Sequence, residues 1–369
     1  MSKLWILLSV SLILAFFIEY RDRVLLQKKG RLDRLFTFLL ILLLGTFCGL
    51  RTWYNDTVTY LQMFNGAVSV SAFFSSGEAD LAHGWGFGLL TCIIKELGFT
   101  SQDYLMFYSF LTVTPYVLFV RRYCPNFIFG IFLMFTTGFY SFALAAIKQC
   151  MATGLCLLAV MAALDRKWVR YGILLGVAVL FHPYAIIYLL VPMLMFRPWT
   201  VKTYLAIVLF VMAGFGMESL LGTILDITAM LGAEYDETSF IGEGVNIFRV
   251  LVSFVPLMLA IPYRKMLFQD TGRTEHLLFN LSMIHALLMF VGLFGTANYF
   301  ARLANYFLPA VVVILPWMLN KLYYGHRSFL KSACVVGYLG YFYYENAMKQ
   351  NFDSHLSQVS LWDYIVSHF

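Results

Sequence analysis

The sequence predicts an all-α protein threaded many times through a membrane. Three observations carry this. Of 369 residues, 61% are hydrophobic and only 12% are charged, against about 45–50% and about 25% in soluble domains. The apolar residues form runs along the whole chain, most of them close to the ~20 residues that a spanning helix needs. Lys and Arg collect between alternate runs, as the loops of the cytoplasmic side require. This excludes a cytosolic enzyme, a secreted disulfide scaffold and a disordered chain. The net charge of +6 has its explanation in those loops, so no nucleic-acid partner is expected.

The first run, 3–19, is followed by six Lys/Arg and has no small-x-small cleavage site. That is the reverse of a cleaved signal, and it predicts a retained helix with its N-terminus outside. Runs at 35–50, 104–120, 127–146, 147–164, 203–225, 246–262, 276–295, 303–319 and 329–344 predict further spans. Two shorter runs, 168–182 and 184–196, meet at His182-Pro183. They are short spans or a re-entrant hairpin, because Pro183 ends a helix and frees its late carbonyls. The run 84–97 contains Lys95 and Glu96 and is punctuated by Gly84, Gly86 and Gly88, with Gly98 after it. It predicts an amphipathic or half-inserted helix on the outer face. The result is about 12 transmembrane or half-membrane helices in one domain, 1–369. Outside it stand loop 51–103, an acidic loop 226–245 and a tail 345–369 that ends in a short amphipathic stretch.

With 20–34 inside, alternation puts 19 of the 26 Lys/Arg on the cytoplasmic side and 14 of the 20 acids outside. A full span at 84–97 spoils this, since Arg121 and Arg122 would move outside. Few cations remain on the outer face, and Arg51, Lys148, Arg249 and Arg302 each stand at the outer end of a predicted helix. His182 and Asp56 lie at the same depth. Charges there are costly unless they are paired or line a wet cavity. Their convergence from distant parts of the chain is the main pointer to function.

Arg51 can fork two hydrogen bonds to a phosphate, and Asp56 can take a proton from a sugar hydroxyl. Equally, the two could form an ion pair that holds the loop. Lys148-Gln149 opens a helix, where ammonium and amide groups together suit an anion; a snorkelling lysine is the plainer alternative. His182 sits at a helix break and suits a base or an orienting donor. Arg302 and Tyr306, four residues apart, share one helix face. Arg249 is a further cation or a topology anchor, and Tyr60 follows Asp56 by one turn. His276 and His285 are read as structural. No HExxH motif and no carboxylate pair has metal spacing, so no metal or cofactor is expected, and a pyrophosphate would be neutralised by Arg and Lys. The six cysteines show no CxxC pair or ligand spacing and read as packing residues.

Together these residues resemble the EpsG family, Wzy-like polymerases of bacterial exopolysaccharide and capsule. Gly49-Leu50-Arg51 with Asp56-Thr57 and Tyr60 is similar to the family's opening motif. Ile147-Lys148-Gln149 with Met151-Ala152, Phe181-His182 with Ala185-Ile186, and Ala301-Arg302 with Asn305-Tyr306-Phe307 follow in order over about 50–310. Three positions depart from the pattern. Lys148 stands where the family usually has Arg, and Pro183 where it usually has Ser. His83 and Trp85 occupy a region that often carries an acid. The resemblance implies a GT-C-like architecture with its active site at the outer leaflet of the bacterial cytoplasmic membrane. It implies a donor and an acceptor glycan, each carried on undecaprenyl pyrophosphate, and a flippase and chain-length regulator as partners. On this reading Arg51, Lys148 and Arg302 are assigned to the pyrophosphate, with Arg249 as a fourth candidate, Gln149, Tyr60 and Tyr306 to the substrate beside it, and Asp56 first or His182 second as base. The rival readings are a flippase for lipid-linked oligosaccharide and a membrane glycosyl- or acyltransferase that does not polymerise.

The orientation is testable in a Cys-free background. A single cysteine at position 56 should react with an impermeant maleimide in intact cells; reaction only after permeabilisation would invert the topology.

Overall fold

The computed structural model describes residues 1–24, 31–75, 84–216, 223, 226, 244–294 and 297–367. The acidic stretch 227–243 and His83 lie outside them. The chain is helical and folds as two compact units: 1–162 with 168–186 and 342–369, and 163–167 with 187–341. Among the described residues, six helices are long and apolar enough to cross a membrane, or eight if each of two bent pairs is one span.

The first unit begins with α1 (Ser2–Val24) and α2 (Arg31–Gly49), then strand β1 (Arg51–Trp53) and the helices α3 (Thr57–Gly66), α4 (Val70–Ser75) and α5 (Trp85–Glu96). Next come α6 (Ser101–Tyr123), α7 (Phe127–Thr136), α8 (Phe139–Ala145), α9 (Ile147–Leu164) and α10 (Trp168–Phe181). The expected continuous run 127–146 is broken: Gly138 takes φ +82° and the halves α7 and α8 meet at 50°.

Polar contacts order the two ends of this unit. At one end Glu19 accepts from the Ile128 amide at the start of α7, at 2.9 Å, and Arg121 pairs with Asp33 at 2.8 Å. At the other end the side-chain amide of Gln102, in the first turn of α6, donates to the Gly49 carbonyl. The chain therefore leaves α2 and enters α6 on the same side, and the segment between them returns to where it began. At 12 residues α5 is about 18 Å long, too short for a full crossing. One of its faces packs into the protein. Gly86, Phe87, Thr91, Cys92 and Ile94 are buried, and α5 packs on α10. Close approach explains its glycines: a Cβ on Gly84 would stand 2.5 Å from the Phe181 carbonyl oxygen, and one on Gly86 3.0 Å from Leu180. Lys95 donates to the Asn65 and Ala67 carbonyls at 2.5 and 2.7 Å, closing the end of α3 as a cation at a helix C-terminus does.

The second unit contains a 3₁₀ segment, Pro183–Met195, from Ile187 onward. It continues with α11 (Val201–Phe215), α12 (Ile247–Leu267) and α13 (Arg273–Val291). A π turn at Ala297–Ala301 leads into α14 (Arg302–Asn305), followed by α15 (Leu308–Lys321) and α16 (Tyr324–Tyr343). Helix α13 is buried along nearly all its length and packs against α11, α12 and α15. Its Asn280 donates to the Leu194 and Phe196 carbonyls at 2.8 and 2.9 Å, which the end of the 3₁₀ segment leaves without ladder partners.

The tail after α16 returns to the first unit through a π turn at Tyr344–Lys349, α17 (Phe352–His355), strand β2 (Ser357–Gln358) and α18 (Leu361–Val366). The tail is therefore bound to this unit. Strand β2 pairs antiparallel with β1, and the Gln358 side chain donates to the Phe47 carbonyl at 2.8 Å. Asp353 meets the N-terminal ammonium at 2.6 Å. The Tyr364 hydroxyl donates to Asp103 at 2.7 Å. Burial and then the Asp103 bond push its phenol up to about 12, so it remains the donor at any working pH. The N-terminus, loop 49–60 and the tail thus share one side.

The Gly84 contact has a direct test. Gly84→Ala combines positive φ with a clash on backbone, and should cost about 1–3 kcal/mol. A lowered melting temperature in detergent is expected; an unchanged one would mean that α5 does not dock on α10.

Candidate active site

The loop after α2 is built around a buried cation. Arg51 is 1% exposed. Its guanidinium donates to the Cys48 carbonyl, to the Ser109 hydroxyl at 3.1 Å and to the Thr57 hydroxyl at 3.2 Å. Thr57 in turn donates to the Tyr54 carbonyl at 2.6 Å. Asn55 takes φ +44°, the left-handed turn geometry that Asn tolerates better than most residues. These bonds close a tight turn over 54–57. Asp56 stands at the N-cap of α3, yet its carboxylate does not cap that helix. It is half-buried beside the turn.

One turn along α3, Tyr60 points to α9. Its hydroxyl lies 3.4 Å from the Lys148 amide and accepts from it, and its ring meets Phe87 edge-on at 5.7 Å. The Lys148 ammonium lies 5.3 Å from the centroid of the same Phe87 ring, within reach of a cation–π attraction. Gln149 is buried. Phe87 is the centre of a cluster with Phe64, Tyr104, Tyr108, Ile147 and Met151, and Phe181 packs against it. His182 is the next residue, half-buried at the end of α10, 5.5 Å from the Tyr184 ring. Tyr60 on α3 and Lys148 on α9 thus meet at one aromatic plate on α5, while Asp56 precedes α3, Gln149 follows Lys148 and His182 ends α10.

The geometry suits an anion beside a hydroxyl. Lys148 lies in the first turn of an 18-residue helix, where the amide ends and the ammonium favour negative charge together. Asp56 and His182 supply a carboxylate and an imidazole within the same unit. Among the described residues, no three His, Cys, Asp or Glu side chains gather to hold a metal ion.

The remaining three candidates belong to the second unit. Arg249 lies in the first turn of α12, next to the Asn246 cap that accepts from the Phe248 amide. Arg302 is exposed while Tyr306 is fully buried, so the pair does not present the single accessible face expected from its spacing. The helix breaks just beyond it, with Tyr299–Asn305 and α15 meeting at 53°. Ala310 bonds to the Phe307 carbonyl, and the Tyr306 carbonyl instead accepts from the Tyr188 hydroxyl at 2.6 Å. His285 stands 2.8 Å from the Ala304 carbonyl. A carbonyl can only accept, so Nδ1 carries the proton, and the residue has the structural role expected of it.

A family model described as the EpsG family matches residues 34–364, nearly the whole chain. The chain belongs to the EpsG family. That is a family of Wzy-like polymerases, which supports a polymerase-like role in polysaccharide synthesis at a membrane. Neither the comparison with curated proteins nor that with solved structures finds a match. In this EpsG-family protein the stretch 49–60 is the arginine-knotted turn, and the stretch 147–152 is the first turn of α9 beside it. Sequence reasoning missed Ser109, Thr57 and Cys48 as partners of Arg51, and Phe87 as the plate. Only the glycines flanking Phe87 hinted at close packing there.

The knot separates two roles for Arg51. Arg51→Lys should lower the melting temperature, because it leaves Ser109 or Thr57 unmatched at about 1–3 kcal/mol per buried group. Unchanged stability with lost activity would return Arg51 to the role of a substrate ligand.

Proposed function

We propose that this protein polymerises polysaccharide by glycosyl transfer between two undecaprenyl-pyrophosphate-linked glycans on the outer face of the cytoplasmic membrane. The observation that carries the reading is Lys148 at the N-terminus of α9, set with Tyr60 against Phe87, in a chain of this family. The acceptor hydroxyl attacks the anomeric carbon of the growing glycan. The bond from that carbon to the pyrophosphate oxygen breaks, and the lipid pyrophosphate leaves with the electron pair. Lys148 and the α9 amides stabilise the charge that grows on it. Asp56, or His182 in its place, takes the hydroxyl proton. Tyr60 and Gln149 line the start of α9, and Arg51 acts by holding the turn that presents Asp56. Arg249, Arg302 and Tyr306 are kept as further substrate candidates and are tested singly. A single displacement inverts the anomeric centre. About 12 helices and a GT-C-like architecture belong to the same proposal, as do a flippase and a chain-length regulator as cellular partners.

The test is chain length, measured with the purified protein in lipid and its native lipid-linked repeat unit. A ladder of products is expected. Asp56→Asn should cut the rate by about 10²–10⁴-fold, the usual contribution of a positioned base, with normal membrane insertion, and His182→Ala should do the same if it is the base. Addition of one unit only would favour a decorating transferase. Lipid movement between leaflets without a product would favour a flippase.

Arg302→Lys and Lys148→Arg separate fork from point charge. The first should lose more activity, since only Arg makes two parallel bonds to a phosphate; equal losses would show that charge alone matters.

A further inference from the structure

The first unit carries a groove that the catalytic scheme does not use. Its volume is about 770 Å³, inside the ~300–1,000 Å³ range of small-molecule sites. Faces of four helices form its walls, α10 contributing Val177 and Phe181. Leu90, Ile94 and Leu97 come from α5 and its end, and Met151, Leu155 and Leu158 from α9. Along α6 it runs from Asp103 to Pro115, a rise of about 18 Å. That is near the half-thickness of the ~30 Å hydrocarbon layer. The floor is closed where Gly154 meets the Pro115 ring. One side is open, with Leu97, Phe99, Phe107 and Leu111 exposed by between 41% and 69%. The one carboxylate at the rim, Asp103, is held by Tyr364 and by the Thr100 amide and hydroxyl.

The groove shares walls with the cluster around Phe87, to which Leu90, Ile94, Met151, Leu155 and Phe181 all belong. Lys148, whose ammonium lies over Phe87, stands one turn from Met151 on α9 and is the cation that helix supplies for an anionic head. We infer that the groove holds the polyprenyl chain of a lipid-linked pyrophosphate substrate. The inference rests on the polymerase reading for the identity of that lipid, and it adds where the chain lies and which residues grip it.

Two measurements test it. The purified protein in phosphatidylglycerol nanodiscs is irradiated with a diazirine-tagged polyprenyl pyrophosphate or with a diazirine-tagged phosphatidylglycerol, and the labelled peptides are mapped. The polyprenyl probe should label α6 between Met106 and Leu111 and α9 near Met151 and Leu155, and excess undecaprenyl pyrophosphate should remove the label. Labelling there by phosphatidylglycerol that undecaprenyl pyrophosphate does not displace would overturn the assignment, as would polyprenyl label only elsewhere. Leu111→Trp and Leu155→Trp should raise KM for a long-chain carrier about tenfold or more, the scale on which an apolar pocket discriminates, and change KM for a ten-carbon carrier little. Equal changes for both carriers would also overturn it. These outcomes are independent of the ladder. Polymer without groove labelling removes the groove alone, and groove labelling without polymer removes the polymerase reading alone.

Discussion

A guanidinium placed where water is scarce must find its partners within the protein, and the architecture around the candidate site follows from meeting that demand at Arg51. Leaving such a charge unmatched costs several kcal/mol. Its partners lie on α2, α6 and the turn before α3, so satisfying it fixes three elements at once. Strand β1, which carries it, is paired with β2 of the C-terminal tail. The turn that holds Asp56 is thereby bounded by the knot on one side and the tail on the other, which limits its freedom before any substrate arrives.

The opposite wall of the site rests on packing. Phe87 serves as a plate for Tyr60 and Lys148, and it can do so because Gly84 and Gly86 let α5 lie against the end of α10. The same economy appears in the second unit. A helix break there leaves one carbonyl to the Tyr188 hydroxyl and sets another against a His285 ring nitrogen. Breaks inside a membrane are tolerated only where neighbours re-satisfy the backbone, and here the neighbours are residues that composition alone would class as ordinary packing.

Much of the fold was legible because the signals are local. The run 147–164 is apolar beyond its opening Lys148-Gln149 and became α9 with the same bounds. The basic loops 20–34 and 121–126 were assigned to one side by charge, and contacts from Glu19 and Arg121 draw the helices next to them together at one end. The breaks were less legible. The run 127–146 shows no proline, and nothing in its hydropathy marks Gly138 as a bend. The binding of the 345–369 tail was not legible because its partners, Asp103, Phe47 and the N-terminus, lie hundreds of residues away.

By itself, then, the sequence determined a helical membrane protein, the approximate limits of most spans, and which polar residues sit at helix ends. These depend on the transfer of side chains from water to lipid, a property that each residue carries with it. The tertiary structure decided which of those polar residues meet. It buried Arg51 in a knot, set Lys148 and Tyr60 against Phe87, carried Arg302 and Tyr306 into different degrees of burial, and opened an apolar groove beside α6. Those outcomes depend on contacts between residues far apart in the chain, and helical periodicity says which face a side chain is on but not what that face will touch.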